Sequence, residues 1–249
     1  MAASPRDKAG EKRRFTILYD LDDTLIPNCI KYHAPAWRCG LIISKKLGLA
    51  SPYPVEVLAM HQREQMAMVE RKGFTIDVFP KSWVRTYEKL CKESHVPVSA
   101  AVSKRLFYIA GHFADGPYWT FPGVKTALKY LKSQGHPQHL ITAGAEELQL
   151  RKVSEAGLDA IFDSVNVTLR DKKAIMARLA GRRRQDCLMV GDSRRSDIGP
   201  AKELGITTVL VPSRTWGYAA ADVEPDYTIE SVRDLPQLLE SLLRNKKKG

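Results

Sequence analysis

No stretch of this chain approaches the 18 or more consecutive apolar residues that a membrane-crossing helix requires, so a helical bilayer-spanning protein is excluded. The first fourteen residues, MAASPRDKAGEKRR, hold no apolar core of a secretion signal. Arg13-Arg14 ahead of Phe15 has the outline of a twin-arginine export signal. The apolar run stops at Asp20 after five residues, however, so export is not expected. Cysteine is scarce: Cys29, Cys39, Cys91 and Cys187 form no CxxC pair and no metal-ligand spacing. Neither a disulfide framework nor a zinc site is expected, and reduced thiols in a cytoplasmic protein are.

Acidic residues are outnumbered, 28 against 39 basic ones, for a formal net charge of +11. The excess is concentrated at the ends. Residues 1–14 carry Arg6, Lys8, Lys12, Arg13 and Arg14 against Asp7 and Glu11, a net +3, and the tail 244–249 adds +4 through Arg244, Lys246, Lys247 and Lys248. No helix-turn-helix, RNA-recognition, KH or zinc-finger pattern accompanies them, so specific nucleic-acid recognition is not expected. The remaining +4 favours capture of small anionic substrates near a cleft.

What is present is an ordinary globular composition, 44% hydrophobic and 27% charged over 249 residues, enough for one large domain or a domain with a substantial insertion. Short apolar runs with β-branched content predict strands at Phe15 to Tyr19, His139 to Thr142, Ile161 to Val167, Cys187 to Val190 and Thr207 to Val211. Between the later runs lie helical patterns: Val124, Leu128 and Leu131; Leu148 and Val153; Ile175, Met176 and Leu179; Ile198, Ala201 and Leu204. Strands apolar on both faces that alternate with helices argue for an α/β protein with a doubly wound, Rossmann-like parallel sheet, its ligand site at the carboxyl ends of the strands. The span 27–118 lacks convincing strands and shows helical spacing at Val55, Ala59, Met66 and Val69 and at Trp83, Tyr87 and Leu90. A structureless loop of that size is implausible inside a compact domain. The expected organisation is therefore a core of 15–26 and 119–243, an inserted α-helical domain at 27–118 covering the carboxyl edge, and basic ends at 1–14 and 244–249.

The first strand runs into Asp20-Leu21-Asp22-Asp23-Thr24, three carboxylates within four residues. A like-charged pair at about 4 Å costs roughly 4 kcal/mol at an effective dielectric near 20, so such a cluster calls for a cation, a raised pKa or full exposure. Period-two alternation puts Asp20 and Asp22 on one side and Asp23 on the other. The fourth strand ends in Gly191-Asp192-Ser193, with Asp197 five positions on. Two acidic strand ends facing one crevice make a hard-cation site, with the ligand chemistry of Mg2+ bridging to a phosphate. The second strand ends in Thr142-Ala143-Gly144, which offers a hydroxyl and backbone N–H groups to an anion. Lys172 and Lys173 follow the third strand at a helix start, placed to neutralise negative charge.

In combination these four segments resemble the four motifs of the haloacid dehalogenase superfamily, and the likeness runs from Phe15 to about Thr215. Asp20-Leu21-Asp22-Asp23-Thr24 is similar to its DxDx(T/V) motif, Leu140-Ile141-Thr142 to its second motif, and Gly191-Asp192 through Asp197 to its fourth. The third motif departs from the family pattern: Arg170-Asp171-Lys172-Lys173 lacks the proline that often follows the family's lysine. Lys172 is favoured, because Ile175, Met176 and Leu179 then take the spacing that packs the following helix, with Lys173 as the alternate. The insertion resembles the family's type 1 helical cap.

The resemblance implies that Asp20 is the nucleophile of an aspartyl-phosphate mechanism and that Asp22 is the acid and base, with a raised pKa. It also implies that Mg2+ is held by Asp20, the Asp22 carbonyl, Asp192 and Asp197. Thr142, Ala143 and Lys172, or Lys173 in its place, would grip the phosphoryl oxygens, and Thr24 would orient the loop. Haloacid dehalogenases lack the second aspartate and the metal site, and P-type ATPases carry threonine there and are membrane proteins. The reading that remains is a Mg2+-dependent phosphohydrolase of a small phosphorylated metabolite. A phosphomutase of the same superfamily and a non-catalytic module binding RNA or acidic membranes through basic ends are the alternatives, and a phosphonate hydrolase would need a cap lysine such as Lys45 or Lys46. For substrate contacts the cap offers Tyr32, His33, Trp37, Arg38, His61, Arg63 and Arg71. Trp119 and Phe121 read as packing residues, and His112 and His136 as structural or exposed. Gly111 and Gly116 are available as hinge positions where the cap returns to the core.

Overall fold

The structure, a computed structural model, describes residues 14–213 and 221–245, so residues 1–13 and 246–249 of the two basic ends lie outside the described residues. Six parallel strands form one sheet in the order β3-β2-β1-β4-β5-β6: β1 (Thr16–Tyr19), β2 (Gln138–Ala143), β3 (Ser164–Thr168), β4 (Cys187–Gly191), β5 (Thr207–Leu210) and β6 (Tyr227–Thr228). The chain winds outward from β1 in one direction and then, through β4, in the other. The crevice between β1 and β4 is therefore the topological switch point.

Alternation along the strands feeds two hydrophobic layers. Ile17, Tyr19, Leu140, Leu188 and Val190 pack on one face with α5 (Val124–Ser133), α6 (Glu146–Glu155) and α9 (Leu235–Asn245). Leu18, Ile141, Cys187 and Met189 pack on the other with α7 (Lys173–Ala180) and α8 (Gly199–Glu203). Burial on both faces is why these strands read as continuous apolar runs. Two sequence expectations need correction. β3 begins at Ser164, because Ile161 and Phe162, although buried in the core, lie in the turn before it. A sixth strand exists at Tyr227–Thr228, two exposed residues with no apolar pattern to announce it.

Between β1 and β2 the chain forms α1 (Ile30–Leu47), α2 (Pro54–Lys72), α3 (Val78–Glu93) and α4 (Ala100–Gly111), with α3 packed on both α2 and α4 and α1 packed on α2 and α4. Trp83, Tyr87 and Leu90 give α3 its buried face, and the Trp83 ring lies 3.8 Å from that of His61 at an interplanar angle of 10°. Gly73 ends α2 at φ +75°, and its absent Cβ leaves room for the Leu169 carbonyl just after β3. Phe74 N–H donates to that carbonyl at 2.8 Å, and Arg170 donates to the Arg71 carbonyl at 2.9 Å. The end of α2 thus rests on the loop at the carboxyl edge of the sheet.

Candidate active site

β1 delivers Asp20 to the switch point: its N–H donates to the Val190 carbonyl of β4 at 2.9 Å, and its side chain is buried. β4 delivers Gly191 and Asp192, after which a short π-helical turn (Arg194–Ile198) brings Asp197 back beneath the strand end. A Cβ on residue 191 would collide with the Asp197 carboxylate, so glycine there is what lets Asp197 sit fully buried. Ser193 N–H fixes that carboxylate at 3.1 Å. Carboxylate oxygens of Asp20, Asp192 and Asp197 lie within 4.8 Å of one another. Thr24 donates to Asp20 at 3.2 Å and reaches Asp192 at 3.5 Å, and Ser213 donates to Asp192 at 2.6 Å.

Lys172 is the cation among these carboxylates, its Nζ 2.5 Å from Asp20 and 2.8 Å from Asp197. Burial by itself would lower its pKa, but Asp197 and Asp20 outweigh that and raise it. Burial pushes the Asp20 carboxyl well above the usual carboxylate range, Lys172 draws it back, and Asp197, Asp192 and Asp22 push it up again. Burial and then Asp197 push the Asp192 carboxyl up to about 7. Three carboxylates against one ammonium leave two formal negative charges in a buried space lined with hard oxygen donors. That donor set and that charge fit a divalent cation such as Mg2+, with Asp20, Asp192 and Asp197 as the residues able to hold it.

The three aspartates of the first motif go separate ways. Asp22 stands apart from the carboxylate cluster: Lys152 of α6, almost wholly buried, contacts both its oxygens at 2.9 Å, and Gln149 donates to it at 3.1 Å. Asp23, at φ 60°, accepts from the N–H groups of Asn28 and Cys29 at 3.0 and 2.9 Å just before α1, where burial nonetheless lifts its pKa to about 6. Gln149 also donates to the Thr142 hydroxyl, which accepts and so keeps its own hydrogen to give. Thr142 is fully buried, Ala143 and Gly144 line the crevice, and the Gly144 N–H donates to Thr168, which removes it from the anion-binding donors that the sequence suggested. Lys173 is corrected outright: it is exposed and paired with Glu203, away from the carboxylates. Neither Lys152 nor Gln149 was found from the sequence. The only signal was a pair of polar residues three apart on α6, which borders Leu148 and Val153.

Above the carboxylates is a cavity of about 180 Å³ shared by the sheet edge and the inserted helices. Of the seven candidate cap contacts only Tyr32 lines it. His61 is buried against Trp83, Trp37 is exposed, and His33, Arg38, Arg63 and Arg71 are absent from the lining. Trp119, expected to pack, is half exposed with Lys31 5.2 Å from its ring centroid, whereas Phe121 does pack against the core. His112 is half-buried and bonded to Asp115, and His136 is buried against Phe15.

Fold and site together define a doubly wound α/β protein with a buried acid-and-lysine centre at its topological switch point. Residues 16–205 match the family model for haloacid dehalogenase-like hydrolases, and the chain belongs to that family. It is 33% identical over 134 residues to a glyceraldehyde 3-phosphate phosphatase of Pyrococcus furiosus, covering 49% of this chain and 54% of that one. It is 32% identical over 127 residues to phosphoglycolate phosphatase 1 of Pseudomonas aeruginosa, covering 46% and 45%. The match thus spans about half the length of each of these relatives. A solved haloacid dehalogenase-like family hydrolase from Xanthomonas campestris shares the fold with a TM-score of 0.73 at 20% identity, covering 99% of both chains. No helix among the described residues is long and apolar enough to cross a membrane.

Proposed function

We propose that this protein is a Mg2+-dependent phosphomonoesterase that hydrolyses a small phosphorylated metabolite through an aspartyl-phosphate on Asp20. The observation that carries this reading is the group of buried Asp20 and Asp197 and half-buried Asp192 around Lys172, three carboxylates against one ammonium. The names of the relatives, which hydrolyse small phosphate esters, agree with it. Residues 15–26 and 119–243 form the catalytic core in this reading, and 27–118 form the cap. Mg2+ held by Asp20, Asp192 and Asp197 would offset the charge of the incoming phosphate and of the carboxylates.

The chain's own residues do the rest. Asp20 attacks phosphorus with a carboxylate oxygen while the ester oxygen departs, and water later cleaves the acyl-phosphate to return the free carboxylate. Asp22, two residues on, protonates the leaving oxygen and then takes a proton from that water. Lys152 and Gln149 hold Asp22 in place between the two steps. Lys172 and the remaining hydroxyl hydrogen of Thr142 stabilise charge on the phosphoryl oxygens. Thr24 keeps Asp20 and Asp192 in register.

The test is hydrolysis of 4-nitrophenyl phosphate with Mg2+, after metal stripping, and by Asp20→Asn. Activity that survives excess EDTA removes the metal from the proposal. Near-wild-type turnover by Asp20→Asn removes the nucleophile.

A further inference from the structure

The roof of the cavity carries chemistry of its own, independent of the carboxylates beneath. Met66 and Val69 of α2, Phe74 and Ile76 of the following turn, Phe79 of α3 and Phe113 after α4 present apolar surface to it. Phe79 is fixed from two sides, its ring 4.8 Å from that of Tyr32 and 5.3 Å from that of Phe113, both edge-on. Among the described residues the lysines lining the cavity are Lys152 and Lys172, and each is already matched to carboxylates, Asp22 for the first and Asp20 with Asp197 for the second. Two polar residues interrupt the apolar surface: Thr75, whose hydroxyl is spent on Asp77 at 2.6 Å, and Gln65 of α2, whose side-chain carbonyl oxygen is buried without a hydrogen-bond partner. A buried acceptor without a donor is costly, and a ligand donor that meets it recovers that cost.

We infer that the phosphate ester this site accepts has an uncharged, largely apolar leaving group, of the size of a substituted ring, with one hydrogen-bond donor directed at Gln65. The inference rests on the phosphatase reading and names its substrate class. A second anionic group would be drawn out of water against Met66, Ile76 and Phe79 with no free cation to meet it, which strongly disfavours it. An apolar ring would gain by the same burial. A cation introduced at the rim should therefore change the preference. Ile76 is the place for it, because its side chain lines the cavity yet is half exposed.

The experiment compares benzyl phosphate, 4-carboxybenzyl phosphate, phosphoglycolate and the three hydroxybenzyl phosphates by kcat/KM with Mg2+ present. Alongside it, calorimetry compares binding of benzylphosphonate and 4-carboxybenzylphosphonate to the same Mg2+-loaded protein. Benzyl phosphate should exceed both carboxylated esters by at least about tenfold, since an unpaired buried charge discriminates more strongly than a methylene. At least one hydroxybenzyl isomer should exceed benzyl phosphate, and Gln65→Leu should remove that advantage. Ile76→Lys should raise the relative rate on 4-carboxybenzyl phosphate. Hydrolysis that prefers phosphoglycolate or the carboxylated ring overturns the inference and leaves the phosphatase reading intact. No hydrolysis of any ester, with benzylphosphonate still binding at least about tenfold more tightly than its carboxylated analogue, overturns the phosphatase reading and supports the chemistry assigned to the pocket. Equal binding of the two phosphonates overturns the inference whatever the rates.

Discussion

Lowering the pH should unfold this protein partly through one residue far from the carboxylates, His61. Its ring is buried among the inserted helices, stacked on Trp83 and edge-on to Phe79 at 5.2 Å. Ser82 donates its hydroxyl to the Phe79 carbonyl at 2.8 Å and therefore accepts from His61 Nε2–H at 2.8 Å, which fits a neutral ring. Burial lowers the His61 pKa to about 3, from about 6.5 in an unfolded chain. Between those values the unfolded state binds the proton and the folded state does not. Stability from this group is therefore complete above about pH 6.5 and is lost as the pH falls from there towards 3. Each pH unit in that window is worth about 1.4 kcal/mol, so lowering the pH from about 7.5 to about 4.5 removes about 2.7 kcal/mol. Urea unfolding of wild type and His61→Gln across that range isolates the effect, because every other group titrates alike in both. The stability difference between them should shrink by that amount as the pH falls. Parallel curves would mean that His61 takes up its proton in the folded state, and the burial argument would fail.

Lys172→Met should lower kcat by about 10²- to 10³-fold, as loss of a charge-stabilising donor does, while Lys173→Met should stay within about twofold, because its exposed pair with Glu203 is worth little. The opposite ranking in steady-state kinetics would move the third motif by one residue. Lys152→Met frees the Asp22 carboxylate from its ion pair and should reduce kcat by about 10²-fold with a smaller change in KM. An altered KM with unchanged kcat would make Lys152 a substrate contact instead. Gly73→Ala forces a side chain to φ +75° and into the Leu169 carbonyl, at a cost of at least about 1 kcal/mol where α2 meets the sheet edge. Its kcat/KM should fall, and its unfolding midpoint should fall with the lost stability. A fully active Gly73→Ala would show that this contact is dispensable for the reaction.

The parts of the molecule legible in the sequence are those in which local pattern and environment coincide. β1 and β4 are buried on both faces and read as unbroken apolar runs, and the residues that end them, Asp20 and Asp192, fall on the carboxyl edge by topology alone. β6 has two exposed residues and nothing for a pattern to detect. Ile161 and Phe162 misled for the converse reason: they are apolar and buried, as strand residues are, but in a turn. Lys152 could not be found because its partner Asp22 lies 130 residues away in the chain and only the fold joins them. The arginines of the inserted helices misled because charge invites a phosphate contact, whereas the face those helices turn to the cavity is largely apolar and looks, in sequence, like ordinary core.

In the proposed mechanism one short motif carries two carboxylates with different tasks, and Lys152 and Lys172 give each of them a partner of its own. Asp20 and Asp22 are two residues apart just past the end of β1, and both line the cavity, so without separate partners they would compete for one proton. The fold prevents this by bringing a different helix to each. Lys172, at the start of α7, joins Asp20 to the buried group with Asp197, whereas Lys152, within α6, holds Asp22 beside the crevice with a quarter of its side chain still open to solvent. A carboxylate that is to attack must be fixed and drawn towards its ionised form, and the buried ammonium on its flank acts in that direction against burial and the neighbouring carboxylates. A carboxylate that is to give and take a proton must keep a route to the leaving group and to water, which full burial would close. Separate cation partners from separate helices would therefore meet the physical requirement that the proposed mechanism sets, dividing nucleophile from acid within three consecutive residues.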